Sequence, residues 1–270
     1  MKKSSLFIVI FLVSVILIGP FVIKNIMNNS ILEDNIEVAS QITEQPKEKI
    51  DEKNDIIQNE IRKNQEQMKN EEKKKNEKKI VEKEYFDDAL FIGDSRTVGI
   101  SEFGELNNAT FFANTGMSVY NVFEKNVSVP QVGKLKLEQL LTYKKFGKIY
   151  IMLGINELGY NQEKTLKKYK DLLKFIQEKQ SNAIIYIEAN LHVTAERYNK
   201  DKTINNININ KINNEISQLA DNEKIFFIDV NEKFDDENGN LSSNYTQDNV
   251  HIYAKYYKEW SDWLSQNAVK

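Results

Sequence analysis

Two segments carry the residue types of serine hydrolysis: Gly93-Asp94-Ser95 and Asp248-Asn249-Val250-His251. In the second, a carboxylate and an imidazole stand three residues apart, so a single turn presents both on one side. There the aspartate can fix the histidine tautomer while the histidine takes a proton from a serine. In the first, glycine permits a sharp turn, and a helix opening at Arg96-Thr97-Val98-Gly99 would put partial positive charge beside the serine oxygen. Taken alone, Gly-Asp-Ser reads more readily as a helix N-cap, supplied by Asp94 or Ser95. Two further turns complete the set. Asn114-Thr115-Gly116 reads as a backbone turn and equally as nothing more than a turn, and Gly154-Ile155-Asn156-Glu157 offers a side-chain amide for a developing oxyanion.

Short apolar runs precede most of these segments. Ala89-Leu90-Phe91-Ile92, Thr110 to Ala113, Ile149 to Leu153, Ile184 to Ile187 and Ile225 to Ile228 read as strands, and their apolar character is continuous rather than alternating, as for parallel strands covered on both faces. Helical periodicity lies between and after them. It runs from Glu163 to Gln180 (Leu166, Tyr169, Leu172, Leu173, Ile176), from Ile204 to Asp221 (Ile207, Ile209, Ile212, Ile216, Leu219) and from about Ala254 to Ala268. Five strands with helical crossovers predict a doubly wound α/β sheet that binds its ligand at the carboxyl ends of the strands.

In order and placement this set resembles the SGNH, or GDSL-type, hydrolase superfamily. Gly93-Asp94-Ser95 matches its first block, Gly116 its second, Gly154-Ile155-Asn156 its third and Asp248 to His251 its fifth, so the resemblance covers nearly all of 85–270. It implies a flavodoxin-like three-layer α/β/α domain with a five-stranded parallel sheet. It also implies Ser95 as nucleophile, His251 as general base and acid, and Asp248 as the partner orienting His251. The oxyanion hole would comprise the backbone N–H groups of Ser95 and Gly116 and the side chain of Asn156. The third block departs from the usual Gly-x-Asn-Asp by carrying Glu157, which puts the support of that loop in question and leaves the amide donor in place.

Other residues have plainer readings. Arg96 is expected to pair with Asp88 rather than bind a substrate carboxylate. His192 has no aspartate or serine at a recognisable spacing and is expected to be structural or at the pocket rim. The run Asp235 to Asn240 fails the register of a calcium loop and reads as an Asn-Gly turn between Phe234 and Leu241. Ser118, in Gly116-Met117-Ser118-Val119-Tyr120, lacks the final glycine of an α/β-hydrolase elbow.

Composition narrows the classes further. The chain has 270 residues and no cysteine, which excludes disulfide scaffolds, thiolate metal sites and cysteine nucleophiles; its two histidines, His192 and His251, exclude histidine-rich metal centres. No metal or cofactor is expected. Lys plus Arg total 37 against 40 Asp plus Glu, with no basic surplus in either part, so nucleic acid is not an expected partner. The aromatics of the first 84 residues are Phe7, Phe11 and Phe21, all within one apolar run. Leu6 to Ile23 carries no charge, follows Lys2 and Lys3, and continues without a small-x-small cleavage site, which predicts an uncleaved signal anchor (1–29) with the remainder outside the cell.

Residues 30–84 read as a spacer. From Thr43 to Glu84 there are 12 basic and 12 acidic residues in 42 and no aromatic, too little apolar surface for a core. If fully helical, this part would reach about 60 Å. Ile50, Ile57, Ile61 and Met68 form part of a heptad seam that Asn64 and Glu71 interrupt, so a solvated helix or flexible stalk is favoured over a coiled coil. The catalytic domain is then 85–270. A single-pass anchor and stalk predict an enzyme working through an acyl-enzyme at the surface of a bacterium, of Gram-positive type given the absent cysteine. Its expected substrate is O-acetylated polysaccharide or peptidoglycan. The rival readings are an O-acetyltransferase using the same residues beside a membrane-embedded acyltransferase, and an idle glycan-binding or assembly module.

Overall fold

The computed structural model describes residues 81–268. The expected anchor, and the expected stalk as far as residue 80, lie outside the described residues. Among the described residues no helix is long and apolar enough to cross a membrane.

Five parallel strands form the central sheet: β1 (Ala89–Gly93), β2 (Thr110–Ala113), β5 (Lys148–Met152), β6 (Ile184–Glu188) and β7 (Ile225–Ile228), in spatial order β2-β1-β5-β6-β7. This is the flavodoxin-like order, in which the connections reverse direction beside β1 and open a crevice at the carboxyl ends of the strands. Successive side chains alternate between two cores. Leu90 and Ile92, Ile149 and Ile151, Ile185 and Ile187 face one core, closed by α2 (Leu137–Tyr143), α3 (Gln162–Lys179) and α5 (Asn206–Ser217). Ala89 and Phe91, Tyr150, Met152 and Tyr186 face the other, closed by α1 (Ser95–Phe103), α6 (Asn231–Phe234) and α7 (Tyr257–Gln266). The continuous apolar runs thus reflect burial on both faces.

On the second face the register aligns aromatic rings across all five strands. Phe111, Phe91, Tyr150, Tyr186 and Phe226 follow one another at centroid separations of 5.0, 4.5, 4.5 and 6.0 Å. Each such pair adds about 0.5–1.5 kcal/mol beyond burial, and the row ties the strand that carries Ser95 rigidly to its neighbours.

Several elements differ from expectation. An antiparallel hairpin, β3 (Val127–Val129) with β4 (Gly133–Leu135), and helix α2 carry too few residues for a periodic signal. The helix expected from Ile204 to Asp221 is shorter, because the Asn205 side chain caps it by accepting from Asn208 N–H; Ile207, expected on its buried face, is 65% exposed. Residues before Tyr85 also join the domain: Val81 is buried and donates its N–H to Ser265 C=O at 3.0 Å.

Candidate active site

Strand β1 is buried throughout and delivers its last residue to the base of the crevice. Asp94 then caps α1, its Oδ1 accepting from Arg96 N–H at 2.9 Å. Asp94 is therefore the N-cap, and Ser95, the first residue of the helix, is left half-buried with its hydroxyl free for another partner.

That partner is His251. Ser95 Oγ and His251 Nε2 are 2.8 Å apart, and His251 Nδ1 lies 2.7 Å from Asp248 Oδ2. Burial works against ionising Asp248, but bonds from the His251 and Val250 N–H groups and the His251 ring outweigh it and hold the carboxyl at about 2. An ionised carboxylate only accepts, so the proton sits on Nδ1 and Nε2 is left to accept from the Ser95 hydroxyl. The turn that makes this possible places Asn249 at φ 70°, and Thr194 pins it there, donating its N–H to Asn249 C=O at 3.1 Å and its hydroxyl to Asn249 Oδ1 at 2.7 Å.

The two strands flanking β1 carry the remaining residues. Gly116, after β2, has φ 73° with nothing within 4 Å of a built Cβ, so backbone conformation rather than crowding calls for glycine there. Among the described residues the N–H groups of Ser95 and Gly116 take no hydrogen-bond partner. Asn156, after β5, donates one amide hydrogen to Met117 C=O at 2.9 Å and keeps a second for a ligand. A second tie between the same loops comes from Glu157, whose Oε1 accepts from Val119 N–H at 2.6 Å. The departure at Glu157 thus supplies its own loop support. Burial pushes this carboxyl up to about 7, against the Val119 bond.

A profile of the GDSL-like Lipase/Acylhydrolase family matches residues 91–258, more than half of the chain. The chain belongs to the GDSL-like lipase/acylhydrolase family. The family is described as lipases and acylhydrolases. Among solved structures, a GDSL-like lipase from Bacteroides thetaiotaomicron has 18% identity and a TM-score of 0.50, with 70% of this chain and 90% of that one covered. The acetyl xylan esterase AlAXEase has 16% identity and a TM-score of 0.50, with 67% and 99% covered. These likenesses concern the fold. The N-acylneuraminate cytidylyltransferases of Streptococcus agalactiae serotypes III and Ia are 26% identical over 165 residues, 60% of this chain and 34% of theirs. The chain thus spans about a third of the length of these curated relatives.

Within this family member one expectation needs correction. Asp88 pairs with Lys148, not with Arg96. Arg96 is instead buried at the inner side of α1, 1% exposed, and among the described residues its guanidinium nitrogens have no hydrogen-bond partner. Burial pushes the guanidinium down and the charge of Asp94 opposes that. His192 does have an acidic partner: its Nδ1 lies 2.7 Å from Asp235 Oδ2 and its Nε2 2.8 Å from Asn210 Oδ1. These partners stand 43 and 18 residues away in sequence, beyond any local spacing, and they give His192 the expected structural role. The Asp235 to Asn240 run is a turn, with Asp235 bridged to Leu241 and Gly239 at φ 73°. Ser118 Oγ accepts from Tyr120 N–H in another turn.

Residues without a sequence signal also shape the site. Val250, inside the Asp248–His251 turn, packs on Val193, Ile209 and Ile155, and Ile155 precedes the oxyanion candidate Asn156. One small apolar cluster therefore underlies both loops. Thr194 and Asn190 support them through hydrogen bonds between segments distant in sequence.

Proposed function

We propose that Ser95, His251 and Asp248 act as a catalytic triad and that the enzyme removes O-acyl groups, acetyl foremost, from cell-surface polysaccharide or peptidoglycan. The reading rests on one observation, the unbroken chain from Ser95 Oγ through the His251 ring to Asp248 at 2.8 and 2.7 Å. Ser95 Oγ attacks the ester carbonyl as His251 Nε2 takes the hydroxyl proton. The oxyanion that forms accepts from the N–H groups of Ser95 and Gly116 and the free amide hydrogen of Asn156. Collapse breaks the ester C–O bond, and the imidazolium returns the proton to the leaving sugar alcohol. Water, deprotonated by His251, then releases the acid and restores Ser95.

The glycan substrate is supported by the acetyl xylan esterase among the fold neighbours and by a relative named for an acylated sugar. It is supported too by the uncharged Leu6–Ile23 run and the charged spacer, which would hold the domain outside the membrane within reach of wall glycans. A second reading follows from exposure. The His251 and Asp248 side chains are 40% and 54% exposed, so a sugar hydroxyl has access comparable to that of water. The acyl group would then pass to a glycan, supplied through a membrane-embedded acyltransferase partner.

The test presents the full chain with an activated acetyl ester, with and without glycan acceptors, and identifies products by mass. Free acetate alone supports hydrolysis, and acetylated glycan supports transfer. Turnover undiminished in Ser95→Ala would remove the acyl-enzyme from Ser95. For location, protease added outside intact cells should release a fragment of the catalytic domain by cutting the spacer; a domain protected from it would overturn the cell-surface substrate.

A further inference from the structure

The Asn156 loop leaves the sheet at the point where two strands part. Pairing between β5 and β6 ends at Ile151 and Ile187, and beyond it the chains diverge to open the crevice. There the side-chain amide of Asn190, fully buried, bridges the gap. Its Oδ1 accepts from Ile155 N–H at 2.9 Å and its Nδ2 donates to Leu153 C=O at 3.2 Å. The amide thus copies the donor and acceptor of the missing strand partner and grips the peptide groups on both sides of Gly154. Gly154 has φ 141°, and a Cβ on it would run into the Asn190 amide nitrogen. Loop and amide are therefore in direct contact, two residues before the oxyanion donor.

Asn190 is itself held from behind. Asn213 of α5 accepts through Oδ1 from the backbone N–H of Asn190 at 2.8 Å and from its Nδ2 at 3.1 Å, and returns its own Nδ2 to Asn190 C=O at 2.9 Å. Asn231 of α6 donates to the same carbonyl at 3.1 Å. Asn213 and Asn231 are 5% and 3% exposed. A buried amide whose orientation is imposed by such a network has one rotamer available, which is what a positioning group requires.

We propose that Asn190 is a positioning residue of the oxyanion hole, fixing the 153–156 turn so that the Asn156 amide stands at its working distance from the Ser95 acyl centre. This rests on the reading of Asn156 as an oxyanion donor. An oxyanion donor acts only if it is placed before charge develops, so loss of the clamp should lower kcat and leave binding of a small ester almost unchanged.

The experiment measures turnover of an activated acetyl ester by the full chain carrying Asn190→Ala, Asn156→Ala or both. Asn190→Ala should lower kcat about 10- to 100-fold with KM changed less than about threefold, and should cost less than about threefold once Asn156 is already alanine, because the two act through one contact. Equal losses in both backgrounds, or an unchanged kcat, would overturn the clamp. Full turnover by Asn156→Ala alone would instead overturn the oxyanion reading beneath it.

Asn190→Asp, close in shape, gives a second and independent readout. Its carboxyl can still accept from Ile155 N–H, but its other oxygen must be protonated to face two acceptors, Leu153 C=O and Asn213 Oδ1. Its kcat should therefore fall as pH rises, on a limb that the parent lacks, whereas a parent-like profile would count against the proposal.

Discussion

The loop with the proposed triad acid and base and the loop with the proposed oxyanion amide are built differently. Asp248 and His251 are half open to solvent and hold each other through bonds spanning only three residues, Oδ1 taking two backbone N–H groups and Oδ2 the ring. Asn156 gains its position from segments far away in the chain: Asn190 on the strand side, Met117 and Val119 on the other. In the first loop the carboxylate and imidazole are aligned by bonds within the turn itself, while Thr194 and the contacts of Val250 anchor that turn from outside; the second loop takes its alignment from two other segments. Such a difference has a physical basis. In the proposed mechanism the His251 imidazole exchanges protons with incoming alcohol and water, which requires a place near solvent, where short-range bonds suffice. Oxyanion donors do their work by not reorganising, and buried amides with satisfied partners resist reorganisation.

Removing one part at a time sharpens this contrast. Ser95→Ala should have the largest effect, a loss of at least about four orders of magnitude in ester turnover, with a melting temperature close to the parent's because a half-buried hydroxyl leaves little cavity. Residual turnover within tenfold of the parent would break the triad assignment. Asp248→Asn comes next, with up to about 10⁴-fold lost. Its amide can no longer enforce the proton on His251 Nδ1, while the exposed turn should stay folded, so activity and thermal stability measured together should separate widely. Asn156→Ala should cost about 10²–10³-fold in kcat. Because Asn156 also donates to Met117 C=O, its melting temperature should fall more than that of Asp248→Asn, and the reverse order would contradict the contrast drawn between the two loops.

The smallest effect concerns Glu157. Its carboxyl has a folded value near 7, raised from 4.5 chiefly by burial. Between those values the native state keeps a proton that the unfolded chain has released, so stability declines as pH rises from about 4.5 through about 7. Glu157→Gln keeps an acceptor for Val119 N–H and removes the titration. The drop in melting temperature between pH 5 and pH 8 should therefore be smaller in the variant. An identical drop in both proteins would show that Glu157 does not titrate in this range.

The five strands and the long helices α3, α5 and α7 were legible because burial on one or both faces imposes a periodicity that composition records directly. Three catalytic candidates were legible for the same local reason, since Asp248 and His251 stand one turn apart and Gly-Asp-Ser closes a strand. The hairpin at Val127–Leu135 and the helix Leu137–Tyr143 were not, since so few residues establish no period. Nor was the burial of Arg96: a charged residue on the inner side of a helix looks in sequence like one on the outer side, and only tertiary packing decides that it is buried.

By itself the sequence determined the fold class, the order of the strands and the candidates proposed for attack and proton transfer, because each of these depends on neighbours a few positions apart. Tertiary structure alone decided which asparagines matter. Residues 190, 213 and 231 read as ordinary polar positions in a chain rich in asparagine, and become a clamp only where β6, α5 and α6 converge. A side-chain amide has no periodic signature and no preferred spacing from its partner, so its role is written in the contacts it makes after folding.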